Sequence, residues 1–124
     1  ILVKDDEEIV VNVTGEMLEA IGYEVESARD GAEAIDLYKK AKESGNPFDV
    51  IIMDLTIPGG IGGKEAIDKL LKLDPDVRVI VSSGYSNDPV MSDFRRYGFR
   101  GVVAKPYKIN ELGKAIHKVI TEQN

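Results

Sequence analysis

Reactive side chains follow directly on apolar runs at several places in this sequence. Ile1-Leu2-Val3-Lys4 leads into Asp5-Asp6, and Val50-Ile51-Ile52-Met53 ends on Asp54. Val77 to Val81 runs into Ser82-Ser83-Gly84, and Val102-Val103-Ala104 runs into Lys105-Pro106. Short runs of this kind, without apolar–polar alternation, read as strands buried on both faces, as in parallel sheets. Such sheets bind ligands at the carboxyl ends of their strands. Three carboxylates gathered at one rim would repel one another and force a proton onto one of them. A divalent cation removes that problem, and all-oxygen donors with few direct carboxylates suit Mg²⁺, which keeps several waters. A hydroxyl and an ammonium beside a carboxylate nucleophile then make a trap for a phosphoryl group in transfer. A carboxylate can take that group covalently as an acyl phosphate. Asp54 is the expected acceptor, with Ser82 and Lys105 as its helpers; Ser83 is the rival for the serine role.

The elements that must position these residues follow from periodicity. Asp5 to Glu8 supply negative charge at a helix start, and Ile9, Val10, Val13, Met17 and Ile21 repeat at helical spacing up to Gly22. Tyr23 to Ala28 alternates like an edge strand. Asp30-Gly31-Ala32-Glu33 resembles a capping box, opening a helix with Ala34, Leu37, Tyr38 and Ala41 inward. Ala66, Ile67, Leu70 and Leu71 mark a third helix, ended by Asp74-Pro75-Asp76. A fourth is expected from Asn87 or Asp88 with Pro89, carrying Val90, Phe94 and Tyr97 up to Gly98. Leu112, Ala115, Ile116, Val119 and Ile120 form one face of the last. Five strand-then-helix units with short links predict an α/β fold, a parallel sheet with helices on both faces. Right-handed crossovers then bring the strand ends to one rim.

Taken together, Ile1-Leu2-Val3-Lys4-Asp5-Asp6-Glu7, Met53-Asp54-Leu55-Thr56-Ile57-Pro58, Val81-Ser82-Ser83-Gly84 and Lys105-Pro106-Tyr107 resemble the receiver domain of two-component response regulators. The resemblance runs over essentially the whole length. It implies a flavodoxin-like, doubly wound five-stranded sheet of order 2-1-3-4-5 with five helices. It implies Asp54 as phosphoacceptor, Asp6 and Asp54 as direct Mg²⁺ ligands, Asp5 acting through water, and Thr56 lending its main-chain carbonyl. Ser82 would be the switch hydroxyl and Lys105 the phosphate-pairing lysine. The implied partner is a histidine kinase or histidine phosphotransfer domain, whose phosphohistidine supplies the phosphoryl group. The output face would be made by the fourth helix, fifth strand and last helix; a phosphorylation-dependent homodimer through that face stays open. The wording around Asp54, Ser82 and Lys105 is most like that of receivers fused to hybrid sensor histidine kinases. Two places depart from the family pattern. Val102 stands where many receivers carry an aromatic switch residue, and Gly59-Gly60-Ile61-Gly62 gives an adaptable loop after Pro58.

Composition narrows the classes. The chain has 124 residues, enough for one receiver domain over 1–124; opening on Ile1, it reads as a segment of a longer protein. A formal net charge of -6 argues against direct nucleic-acid binding. With no cysteine there is no thiol nucleophile and no Cys-based zinc site. No apolar run reaches the ~20 residues a membrane span needs, so the expected location is cytoplasmic, any membrane anchor belonging to the parent protein. The glycines do not spell a nucleotide loop, because Pro58 and Glu65 occupy positions that a Walker A motif assigns to Gly and Ser or Thr. His117 is expected as a surface or boundary residue and not as a phosphodonor. The expected role is a phosphoacceptor taking part in its own phosphotransfer and autodephosphorylation, not an enzyme with external turnover. Two alternatives stay beside it: a receiver-fold interaction module that works unphosphorylated, and an aspartyl-phosphate hydrolase. The second is disfavoured by adjacent Asp5-Asp6 and by the lack of room for a cap.

Overall fold

The computed structural model describes residues 1–5, 7–54, 63–83, 93–105 and 107–121. Its strands are β1 (Leu2–Lys4), β2 (Glu26–Ala28), β3 (Ile51–Asp54), β4 (Val79–Ser83) and β5 (Gly101–Ala104). The α-helices are α1 (Glu8–Ala20), α2 (Gly31–Glu43), α3 (Gly63–Leu73) and α4 (Ile109–Thr121), and a 3₁₀ turn covers Phe94–Tyr97. All strand pairs are parallel and the sheet order is β2-β1-β3-β4-β5, as expected.

The apolar runs are continuous because the strands that carry them face two cores. Leu2, Ile51, Met53, Val79 and Val81 pack against Ala34 and Tyr38 of α2 and Ile67 and Leu70 of α3. Val3, Val50, Ile52 and Ile80 pack on the other side against Leu18 of α1 and Leu112, Ile116 and Val119 of α4. Burying each such side chain contributes about 1.5–3 kcal/mol, so the sheet's position between the two helix layers is strongly determined.

The capping box forms as expected, with Asp30 Oδ1 accepting from the Glu33 amide at 2.8 Å. Gly22 follows α1 at φ +98, and its amide donates to the Glu19 carbonyl. Gly98 sits at φ +99 after the 3₁₀ turn, and a Cβ there would come within 2.6 Å of Leu71 Cδ1. The Leu71 end can move; the left-handed backbone is the stronger reason for glycine. The expected beginning of the fourth helix lies outside the described residues, and its described end is the 3₁₀ turn.

Three elements differ from the sequence reading. The first is the face of α1. Thr14 and Leu18 are its buried residues, whereas Ile9, Val13 and Ile21 stand 78%, 45% and 40% exposed. The apolar stripe of this helix is wider than one face can bury, and packing selects an edge of it. The second is β2, which pairs only over Glu26–Ala28. The third is β4, which begins two residues late. Asp74 Oδ1 accepts from the Asp76 amide and the Val77 amide donates to the Asp74 carbonyl, so a turn holds this stretch before pairing starts. At its other end β4 pairs through Ser83, so Ser82 and Ser83 belong to the strand and not to the loop after it.

Asp74 also ties α2 to the end of α3. The Tyr38 hydroxyl donates to Asp74 Oδ2 at 2.6 Å, and Lys42 Nζ lies 3.6 Å from Oδ1. The Tyr38 hydrogen bond is the main reason the Asp74 carboxyl is held below its ordinary value of 3.8. A depressed carboxyl stabilises the fold above its ordinary pKa and loses that contribution as pH falls through the folded value. Tyr38→Phe is expected to cost about 1 kcal/mol at neutral pH, since Asp74 still touches solvent. The gap from wild type should close under acid, as read from urea midpoints across pH.

Candidate functional site

Strand register assembles the site. Lys4 pairs with Met53 and Asp54 pairs with Ser82, so Asp5, Asp54 and Ser82 stand side by side along one rim. The Asp5 amide extends the ladder by donating to the Ala28 carbonyl at 3.0 Å. Ser83 pairs with Ala104, which places Lys105 at the same end of the sheet. Asp5, Asp54 and Ser82 are buried to within 2% of complete.

Lys105 closes the group. Its Nζ lies 2.6 Å from Asp5 Oδ2 and 3.2 Å from Asp54 Oδ1, and its side chain is 16% exposed. Burial alone would lower the Lys105 pKa. The Asp5 hydrogen bond and the Asp54 charge outweigh that and hold it above the ordinary lysine value. Asp5 Oδ1 accepts from the Glu7 amide at 3.0 Å, so this carboxylate is oriented by the start of the β1–α1 connection.

Of the residues singled out by sequence, the structure brings together Asp5, Asp54, Ser82 and Lys105. Asp6 and Thr56 lie outside the described residues, as does the glycine loop after Pro58. Val102 is half-buried at the edge of the core layer beneath α2 and α3. His117 is exposed on α4, as expected.

Two participants escaped the sequence reading. Lys4 is 1% exposed, and its Nζ donates to the main-chain carbonyl of Asp54 at 3.0 Å. A lysine inside an apolar strand run was the available signal, because such a residue is almost never buried without a partner. Tyr107, which the sequence marks only as part of Lys105-Pro106-Tyr107, donates its hydroxyl to Ser82 Oγ at 2.7 Å.

The arrangement can hold a metal. Among the described residues no cluster of three metal-binding side chains forms, but Asp5 and Asp54 offer two buried carboxylates at one rim. Lys105 supplies one positive charge against these two. Hard oxygen donors with one or two carboxylates fit Mg²⁺, and Asp5 and Asp54 are donors of that kind.

Comparison with known proteins places this geometry. The family model described as "Response regulator receiver domain" matches residues 1–117. The chain is 28% identical over 120 residues to the chemotaxis protein CheY of Thermotoga maritima, covering 96% of this chain and 95% of CheY. It is 35% identical over 124 residues to the response regulator GacA of Pseudomonas aeruginosa, covering 99% of this chain and 56% of GacA. Sensor kinase CckA of Brucella abortus is 26% identical over 124 residues, which make up 13% of that protein. Among solved structures, a response regulator receiver domain protein from Clostridium thermocellum superposes with a TM-score of 0.83 at 27% identity, covering 96% of this chain and 91% of that one. Response regulator TrrA of Thermotoga maritima, solved in complex with Mg²⁺ and BeF, gives 0.78 at 30% identity, covering 95% and 96%.

Removing the bridging cation leaves two buried carboxylates with less positive charge near them. Lys105→Met is expected to destabilise the metal-free protein by about 2 kcal/mol, below the usual cost of breaking a fully buried pair because Lys105 touches solvent. Millimolar Mg²⁺ should raise the melting temperature of the variant more than that of wild type. The Lys105 contribution is present below the ordinary lysine value of 10.5 and fades as pH rises beyond it.

Proposed function

The chain belongs to the response regulator receiver domain family, and we propose that Asp54 is the residue through which it takes up a phosphoryl group. The observation that carries this assignment is the convergence of Asp54, Asp5, Ser82 and Lys105 at one sheet rim. An Asp54 oxygen attacks phosphorus, and the bond from phosphorus to the donor nitrogen of a phosphohistidine breaks. Its electron pair stays on the imidazole, which then takes a proton from water. The Lys105 ammonium neutralises charge on the equatorial oxygens, and the Ser82 hydroxyl donates to one of them.

Mg²⁺ is the metal the carboxylates would hold, with Asp5 and Asp54 from the described site and Asp6 and the Thr56 carbonyl as the further expected ligands. When bound it supplies the rest of the charge neutralisation on the phosphoryl oxygens. The acyl phosphate would shift the protein between two states. Turnover of external substrate is not part of this reading; the only hydrolysis is that of its own aspartyl phosphate.

The likeness to both free-standing regulators and a sensor kinase leaves two settings for the domain. A histidine kinase or histidine phosphotransfer domain is the donor in either, and a fused kinase is the donor's source in the hybrid setting. Output would lie in a fused or separate partner.

Incubation with acetyl phosphate and Mg²⁺ is expected to add one phosphoryl mass to the intact protein. Asp54→Asn or a chelator should abolish the adduct, and Ser82→Ala should slow its formation by about tenfold, the effect of one transition-state hydrogen bond. A folded wild-type sample that never gains the mass would overturn the assignment. Partner affinity unchanged by Asp54→Asn would favour a phosphorylation-independent interaction module instead.

A further inference from the structure

Tyr107 touches the site, yet phosphoryl transfer as described makes no use of it. It lies two residues past Lys105, between β5 and α4, and its ring packs on the core layer beneath α1 and α4. The ring thus holds the phenol oxygen at a fixed place, 2.7 Å from Ser82 Oγ. Ser82 is fully buried and in register with Asp54, so the two side chains share one face of the sheet.

A serine hydroxyl has one proton and two lone pairs. By donating to Ser82, Tyr107 fills an acceptor position and leaves the serine proton for a partner elsewhere. Burial pushes the Tyr107 phenol up to about 12, so it remains a donor throughout the working pH range. A hydroxyl that accepts one hydrogen bond becomes a better donor of the next. Val102, on the neighbouring strand, has no polar side-chain atom with which to do the same.

We propose that Tyr107 is a positioning residue for Ser82: its hydroxyl fixes the serine hydroxyl as a donor to the phosphoryl oxygens received at Asp54. The proposal rests on the reading of Asp54 as acceptor. In it, Tyr107 never touches phosphorus. It sets the direction and strength of the Ser82 hydrogen bond.

Tyr107→Phe keeps the ring and removes the donor. The initial rate of phosphoryl uptake from acetyl phosphate with Mg²⁺ is expected to fall about three- to tenfold, the worth of one hydrogen bond. In a Ser82→Ala background the same substitution should change little, because nothing remains to be positioned. A second readout needs neither metal nor variant of Tyr107: its hydroxyl proton in the unphosphorylated protein should exchange slowly by NMR, and Ser82→Ala should make it exchange fast. Uptake by wild type with Tyr107→Phe at the same rate would overturn the Tyr107 role alone. So would equal losses in the two serine backgrounds, or a rapidly exchanging hydroxyl in wild type. Wild type that takes up no phosphoryl group would instead overturn the acceptor reading, and the proposal with it.

Discussion

Two ionised carboxylates cannot be buried side by side without a cation, and this constraint governs the rim of the sheet. Asp5 and Asp54 are each almost wholly shielded from water, and Lys105 spans the space between them. Among the described residues the Lys105 ammonium is shared between the two acids. A site in that condition gains from any further positive charge that arrives. In the proposed reading, binding of metal and uptake of phosphate would draw on the same shared charge.

The backbone makes that arrangement tolerable. Each reactive residue stands at or just beyond the end of a strand whose remaining residues are locked between two helix layers. Lys4 belongs to this support: its stem is enclosed in the sheet's interior, and its ammonium meets the carbonyl of Asp54 from the main-chain side. Lys105 and Tyr107 come from the same connection after β5, one facing the acids and the other the serine. A movement of this short segment therefore alters both polar contacts together.

The parts of the fold readable in the sequence are those with one dominant physical cause. Continuous apolar runs become doubly buried strands, and Asp30 with Glu33 becomes a cap, because no competing interaction decides those places. Asp54 and Lys105 were legible for a related reason: a charged residue directly after a buried strand has only the rim to occupy. The α1 face was misread because Ile9, Val10, Val13 and Met17 offer more apolar surface than the sheet can cover, and Leu18 and Thr14 fit best. The start of β4 depended on the turn that Asp74 and Asp76 build, which periodicity does not register. Lys4 and the Tyr107 hydroxyl were missed because each acts through a partner distant in sequence, Asp54 in one case and Ser82 in the other.

The strand order has a kinetic meaning as well. β3 lies between β1 and β4, and every neighbouring pair is parallel, so each contact at the rim closes a long loop of chain. Such topologies assemble slowly and late, after the entropy of those loops has been lost. Residues from Asp5 to Tyr107 must all be in place before Asp54 has a lysine, a serine or a neighbouring acid. A growing chain that has not yet folded carries the aspartate without its neighbours at the rim. Competence to receive a signal is thus a property of the finished fold, and an unfinished molecule is silent.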